Sequence, residues 1–120
     1  MRLAFKLWLA DEEGKAFGPG PAQLLACVDE TGSLRQAAAQ LGMSYNKAWW
    51  NIKTMERRLG YSLLTRTVGG NSGGGSTLTP QGRDLLARYR ALEAEAAEVL
   101  QDLCAKHFRG LLTGPDPPKP

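Results

Sequence analysis

Residues 44–60 read SYNKAWWNIKTMERRLG, and the groups able to do chemistry in them are of one kind. They are a carboxamide, Asn46, the bases Lys47, Lys53 and Arg57, and two adjacent tryptophans, Trp49 and Trp50. On a helix turning about 100° per residue, Ala48, Ile52, Met55 and Leu59 form one apolar stripe. Asn46, Trp50, Lys53 and Arg57 then fall on the opposite side. Lys47 and Thr54 take one flank, and Tyr45, Trp49 and Glu56 take the other. Trp49 is therefore expected mostly buried at the edge of the core, and Trp50 outside it. The outer face has what duplex DNA requires. Bases neutralise phosphates and release their counterions. A carboxamide can pair with an adenine edge in the major groove. Tyr45 and Trp50 offer apolar contact to a thymine methyl or a sugar. Ser44 is placed to cap the helix, whose free N–H groups can face a phosphate. The competing reading is that Trp50 packs beneath a neighbouring hairpin or on a partner chain, because an exposed tryptophan is usually covered.

Other chemistries are poorly supplied. Cys27 and Cys104 match no metal-ligand spacing and read as reduced core residues. Cys104 and His107 stand one helical turn apart, but His107 is the chain's one histidine, so no metal site is expected. The stretch GNSGGGST, residues 70–77, has the flavour of a phosphate loop, yet Ser76 stands where that loop needs lysine. There is no Ser/His/Asp set and no paired carboxylates in a plausible cleft. An enzyme is not expected.

The 120 residues suit one domain with a modest core. No stretch approaches the roughly 18 apolar residues of a membrane span, and the start, MRLAFKLWLADEEG, reads as a strand rather than a signal peptide. A cytoplasmic, nucleoid-associated protein is expected. The net charge of +3 is unevenly distributed. Residues 33–90 carry nine bases and two acids, a net +7, whereas residues 91–108 carry four acids and one lysine, a net −3. A basic middle suits a polyanion.

The elements that must position these groups follow from the pattern. LAFKLWL, residues 3–9, alternates as a strand, with Phe5, Leu7 and Leu9 on one face, and AFG can return as a second. Pro21 is expected to open a helix that Gly32 closes. Ser33 caps a short Ala-rich helix ending at Gly42, with Leu34, Ala37, Ala38 and Leu41 inward. Ser44 caps the next, which runs to Leu59. Two helices joined by GMS form a helix-turn-helix. LLTRTV and STLT then flank GGNSGGG, which predicts a β-hairpin with a glycine tip, the wing of a winged helix. From Thr79 a long helix begins with Pro80. Leu85, Tyr89, Leu92, Ala96, Val99 and Leu103 recur along it at spacings of 4 and 3, an apolar seam for a second chain. The tail GPDPPKP is expected to be disordered.

With these motifs placed, TGSLRQAAAQLGMSYNKAWWNIKTMERRLG resembles the winged-helix domain of LysR-type regulators. It is more closely similar to the DNA-binding domain of the ModE family, the molybdate-responsive bacterial regulators. GMSYNKAWWNI resembles that family's G-I-S-Y-x-x-A-W-x-x-I, and TVGGNSGGGSTLTPQG echoes its glycine-rich wing. The resemblance implies a homodimer through the last helix on an inverted repeat of double-stranded DNA. It places Ser44, Tyr45, Asn46, Lys47, Trp50 and Lys53 on the recognition helix, with Arg66 and Asn71 on the wing. Ser33, Arg35, Thr54 and Arg57 complete the expected DNA-contact set. Trp50 departs from the family pattern, where a smaller or polar residue is expected, and this bears on the target sequence. No molybdate-binding domain is expected in these 120 residues, so no cofactor is either; a separate molybdate-binding protein is one possible partner.

The expectation is thus a mainly α protein. Residues 1–78 form a winged helix-turn-helix with a short N-terminal β-hairpin, residues 79–109 a dimerisation helix, and residues 110–120 a disordered tail. Its function is sequence-specific transcription regulation, with links to molybdate transport or molybdenum metabolism. The alternative is a winged helix used for protein–protein contact, with the tryptophans and the long helix as its surface.

Overall fold

A computed structural model describes residues 1–67 and 75–112. Its elements are β1 (Leu9–Asp11), β2 (Gly14–Phe17), α1 (Pro19–Thr31), α2 (Leu34–Gln40), α3 (Tyr45–Leu59), β3 (Leu64–Thr67), β4 (Gly75–Leu78) and α4 (Pro80–His107). β1 pairs antiparallel with β2, and β3 with β4, as two separate ribbons. Helices α2 and α3 form the helix-turn-helix, and β3–β4 is the wing.

The caps are those the residue types dictate. The Ser33, Ser44 and Thr79 side chains accept from the N–H groups of Gln36, Lys47 and Gly82. Each such cap stabilises its helix by about 1 kcal/mol. Gly60 closes α3 at φ 86°, a left-handed geometry that would strain any residue with a side chain. Helix α1 starts two residues before Pro21. Pro19 and Pro21 both fit in its first turn, because the N–H groups there have no intrahelical acceptor to lose.

Phe17, Leu25, Val28, Ala37, Ala48 and Leu63 are fully buried, with Ile52 and Met55 close to it. Full burial of each large apolar side chain contributes roughly 1.5–3 kcal/mol before entropy is subtracted. The alanines of α2 let α3 cross it closely. Two glycines set the wing against this body. A Cβ on Gly75 would lie 2.3 Å from the Gly32 carbonyl oxygen, and one on Gly82 2.5 Å from that of Leu63. The Ser76 N–H donates to the Gly32 carbonyl, and the Thr79 N–H to that of Leu63.

Two expectations are corrected here. The strand expected over residues 3–9 is confined to Leu9–Asp11. Its partner β2 has only four residues, so Met1 to Trp8 have no strand to pair with. They run instead beside α4. Leu3 exchanges two hydrogen bonds with the Gln101 carboxamide, at 3.2 and 2.8 Å, and the Leu7 carbonyl accepts from the Tyr89 hydroxyl at 2.8 Å. Apolar alternation suits a segment laid on a helix as well as one laid in a sheet. The second correction concerns Tyr89, expected on the seam for a second chain. It is only 2% exposed, with its ring edge-on to Phe17 at 5.2 Å, and so belongs to this chain's own core. Burial and the nearby Glu93 carboxylate push its phenol pKa up. Leu85 is half-buried against the same core. Leu92, Val99 and Leu103 are exposed, and Ala96 between them is half-buried.

Candidate nucleic-acid interface

Helix α3 holds its apolar stripe, Ala48, Ile52 and Met55, inward. That orientation fixes what faces outward. Asn46, Lys47 and Lys53 are exposed, and Trp50 leaves 63% of its surface in solvent. Trp49 is 43% exposed, which corrects its expected burial: it sits on the flank of the stripe beside Tyr45 and Glu56, outside the core. Thr54 is half-buried.

Tyr45 does more than the sequence suggested. The Arg35 guanidinium, from α2, lies over its ring at 4.2 Å. Arg66, on β3, donates to its hydroxyl at 3.3 Å. One side chain in the first turn of α3 therefore holds a base from the preceding helix and a base from the wing. The stacking of Arg35 and the hydrogen bond from Arg66 restrict both long side chains before any ligand arrives. Ser33 and Ser44 act as caps, and Asn71 lies outside the described residues.

Further along α3 the bases have acidic neighbours. The Lys53 ammonium lies 5.6 Å over the Trp49 ring and 3.4 Å from the Glu56 carboxylate. Arg57 makes two hydrogen bonds to Glu13, at 3.1 and 3.4 Å. Arg58, which had no expected role, is almost covered, with a side chain 9% exposed. It grips Asp11 through two nitrogens and donates to the carbonyls of Gly14 and Lys15, both at 2.6 Å. These pairs hold the Asp11 and Glu13 carboxyls below their ordinary pKa, chiefly through the hydrogen bonds from Arg58 and Arg57.

Glu56 was also missed. Its carboxylate accepts from the N–H groups of Leu63 and Leu64, at 2.7 and 3.4 Å, and so ties the end of α3 to the start of the wing. Only its place one flank away from the stripe hinted at this. Nothing in the spacing of Arg35, Tyr45 and Arg66 announces their cluster, because each comes from a different element.

For other chemistry the arrangement offers little. Gly75 to Thr77, in β4, pair with β3 instead of opening a helix, which is what a phosphate loop would need. Among the described residues no three His, Cys, Asp or Glu side chains converge as a metal site would require, and both cysteines are free thiols. No described helix is long and apolar enough to cross a membrane. What remains is an exposed helix face, aromatic and basic, with an arginine-bearing wing at its side.

Residues 22–83 match the family described as bacterial regulatory helix-turn-helix proteins, LysR family. The chain belongs to that family. It therefore carries a DNA-binding helix-turn-helix, α2 and α3, of the LysR and ModE type. It is 39% identical over 90 residues to the molybdenum-pterin-binding protein MopB of Rhodobacter capsulatus, covering 75% of this chain and 33% of that protein. It is 36% identical over 102 residues to the molybdenum transport protein ModE of Azotobacter vinelandii, covering 85% of this chain and 38% of that protein. The chain thus spans about a third of the length of these curated relatives. Its fold matches that of the crystal structure of the CbnR DBD–DNA complex, with a TM-score of 0.54 over 72% of this chain and 93% of that one, at 23% identity. The winged helix-turn-helix read from the sequence is the fold observed, and the two relatives are named for molybdenum-pterin binding and molybdenum transport.

Proposed function

We propose that this LysR-family chain regulates transcription by binding an inverted repeat of double-stranded DNA as a homodimer, within molybdenum transport or metabolism. The observation that carries the reading is the exposed start of α3. Asn46, Lys47 and Trp50 stand in solvent there, and the adjacent Tyr45 holds Arg35 of α2 and Arg66 of the wing. A recognition helix entering the major groove presents its N-terminal residues to base edges, and a flanking wing reaches the neighbouring backbone. The exposed Leu92, Val99 and Leu103 of α4 supply the surface for a second copy. Two-fold symmetry in the protein is then mirrored in the DNA site. The similarity to ModE and MopB supports the molybdenum link. No residue of this chain is assigned to molybdate. The sensor proposed is a separate molybdate-binding protein, and the site of action is the cytoplasmic nucleoid.

The test is selection of bound fragments from sheared genomic DNA of the source organism at moderate salt, with and without molybdate. The expected result is one enriched inverted repeat near genes of molybdenum uptake or use. No enrichment from a folded, dimeric preparation would overturn the DNA reading in favour of a protein–protein module built on Trp49, Trp50 and α4.

A further inference from the structure

The β1–β2 hairpin turns at Asp11-Glu12-Glu13, and its acidic tip sits on the last turn of the recognition helix. An exposed ion pair on its own says little, since most such pairs are weak and mobile. Here the placement of Glu13 does not depend on its pair. The neighbouring Arg58 fixes the hairpin with four hydrogen bonds, two to Asp11 and one each to the Gly14 and Lys15 carbonyls. The Glu13 N–H donates to Asp11 Oδ1 at 2.8 Å, which shapes the turn, and Gly14 follows at φ 114°. The Glu13 carboxylate is therefore held in position over Arg57, whose two terminal nitrogens face its two oxygens.

Arg57 lies on the same outer face of α3 as Asn46, Trp50 and Lys53. Eleven residues separate it from Asn46, about 16 Å along the axis. The major groove is about 12 Å wide. A helix entering by its N-terminal end thus brings its last turn to the groove's edge, where phosphates lie. A free guanidinium there would bind phosphate in the same two-pronged way that Arg57 now binds Glu13.

We infer that Glu13 is a built-in phosphate mimic, a specificity-determining residue that occupies Arg57 and confines the DNA contact to the wing and the part of α3 that precedes its last turn. Its effect falls on sequence-independent affinity, because a phosphate contact carries no base information. Removing it strengthens binding to any duplex and narrows the margin between the target and other DNA. This inference rests on the DNA-binding reading above.

The experiment measures binding to a non-target duplex and to the selected target over a range of salt, for wild type, Glu13→Gln, Glu12→Gln, Arg57→Ala and the Glu13→Gln/Arg57→Ala pair. Glu12 is exposed, stands in the same turn and pairs with none of the described residues, so it controls for net charge. The expected result is a several-fold gain for Glu13→Gln on the non-target duplex. Its plot of log affinity against log salt should steepen by about 0.9, the value of one added phosphate contact. Glu12→Gln should give a smaller gain with no change of slope, and adding Arg57→Ala should erase the gain of Glu13→Gln. An unchanged slope in Glu13→Gln, an equal effect from Glu12→Gln, or a gain that survives Arg57→Ala would each overturn the inference while leaving wild-type binding in place. A wild type without salt-dependent binding would overturn the DNA reading and this inference with it.

Discussion

Helices α3 and α4 both leave large apolar side chains in solvent, but in opposite electrostatic settings. On α3 the exposed groups are Trp49 and Trp50, set among Lys47, Lys53, Arg57 and, through Tyr45, Arg35 and Arg66. On α4 they are Leu92, Val99 and Leu103, flanked by the exposed acids Glu95, Glu98 and Asp102. The first setting suits a polyanion that also offers flat rings and methyl groups. The second repels that polyanion and offers aliphatic knobs at heptad spacing. Exposure of apolar surface is thus not one signal but two, and the charge around it decides which partner each surface fits. No exposed apolar residue of either surface belongs to the core cluster, so substitutions on one should leave the fold and the other surface intact.

The sharpest break of this contrast is to put acids into the aliphatic face. Val99→Asp with Leu103→Asp should weaken self-association by on the order of a thousandfold or more, because each would bury an unpaired carboxylate in the helix pair. Val99 is 57% exposed in the single chain, so the melting temperature of the monomer should barely move. Sedimentation equilibrium reads the first effect and calorimetry at low concentration the second. Self-association unchanged by both aspartates would rule this face out as the dimer contact. Next in size is the basic face. Lys47→Ala with Lys53→Ala should cost on the order of a hundredfold in DNA affinity at moderate salt and flatten the salt dependence by about 1.8, the value of two phosphate contacts. Fluorescence anisotropy with a labelled duplex measures both. If affinity and slope both hold, phosphates do not meet this side of α3.

The contrast was largely legible in the residues themselves, because it depends on periodicity within single helices. The stripe of Ala48, Ile52 and Met55, the caps at Ser33 and Ser44, and the wing strands beside the glycine tip are local patterns, and local patterns survive folding. What escaped the reading lies between elements. Tyr89 fits a heptad seam by spacing, yet Phe17 and Leu7, more than seventy residues away, draw it into the core. Residues 3–9 alternate as a strand would, but the length of the partner strand decides pairing, and β2 is too short. Trp49 lies at the margin of the stripe, where a small rotation of the helix decides between burial and exposure. Asp11, Glu13 and Arg58 had no visible role, because an ion pair across more than forty residues leaves no mark in spacing.

Smaller effects sharpen the comparison within α3. Trp50→Ala should weaken binding to the target by about tenfold, roughly 1.4 kcal/mol, and leave the salt slope unchanged. The ring contributes contact area and no charge, so it separates the apolar part of the surface from the ionic part. A slope that fell with Trp50→Ala would mean that the ring positions a base instead of touching DNA itself. Tight binding that survived both this change and the lysine pair would move the interface off α3.

The smallest effect expected concerns the acids that hold the far end of α3. Asp11 and Glu13 have folded-state pKa values below those of the unfolded chain, because Arg58 and Arg57 favour their charged forms. The sign follows from linkage. Their contribution to stability is fully present above the ordinary carboxylate range and is lost as pH falls through the depressed values. Both side chains are exposed, so solvent and salt screen the pairs and the loss should be slight. An NMR titration of the two carboxyl groups should give midpoints below the ordinary range, with the Gly14 and Lys15 resonances shifting as Asp11 protonates and the Arg58 contacts loosen. Ordinary midpoints for both acids would mean that the hairpin is not clamped in solution. Glu13 would then sample Arg57 only in passing, and the two halves of α3 would differ far less than their neighbours suggest.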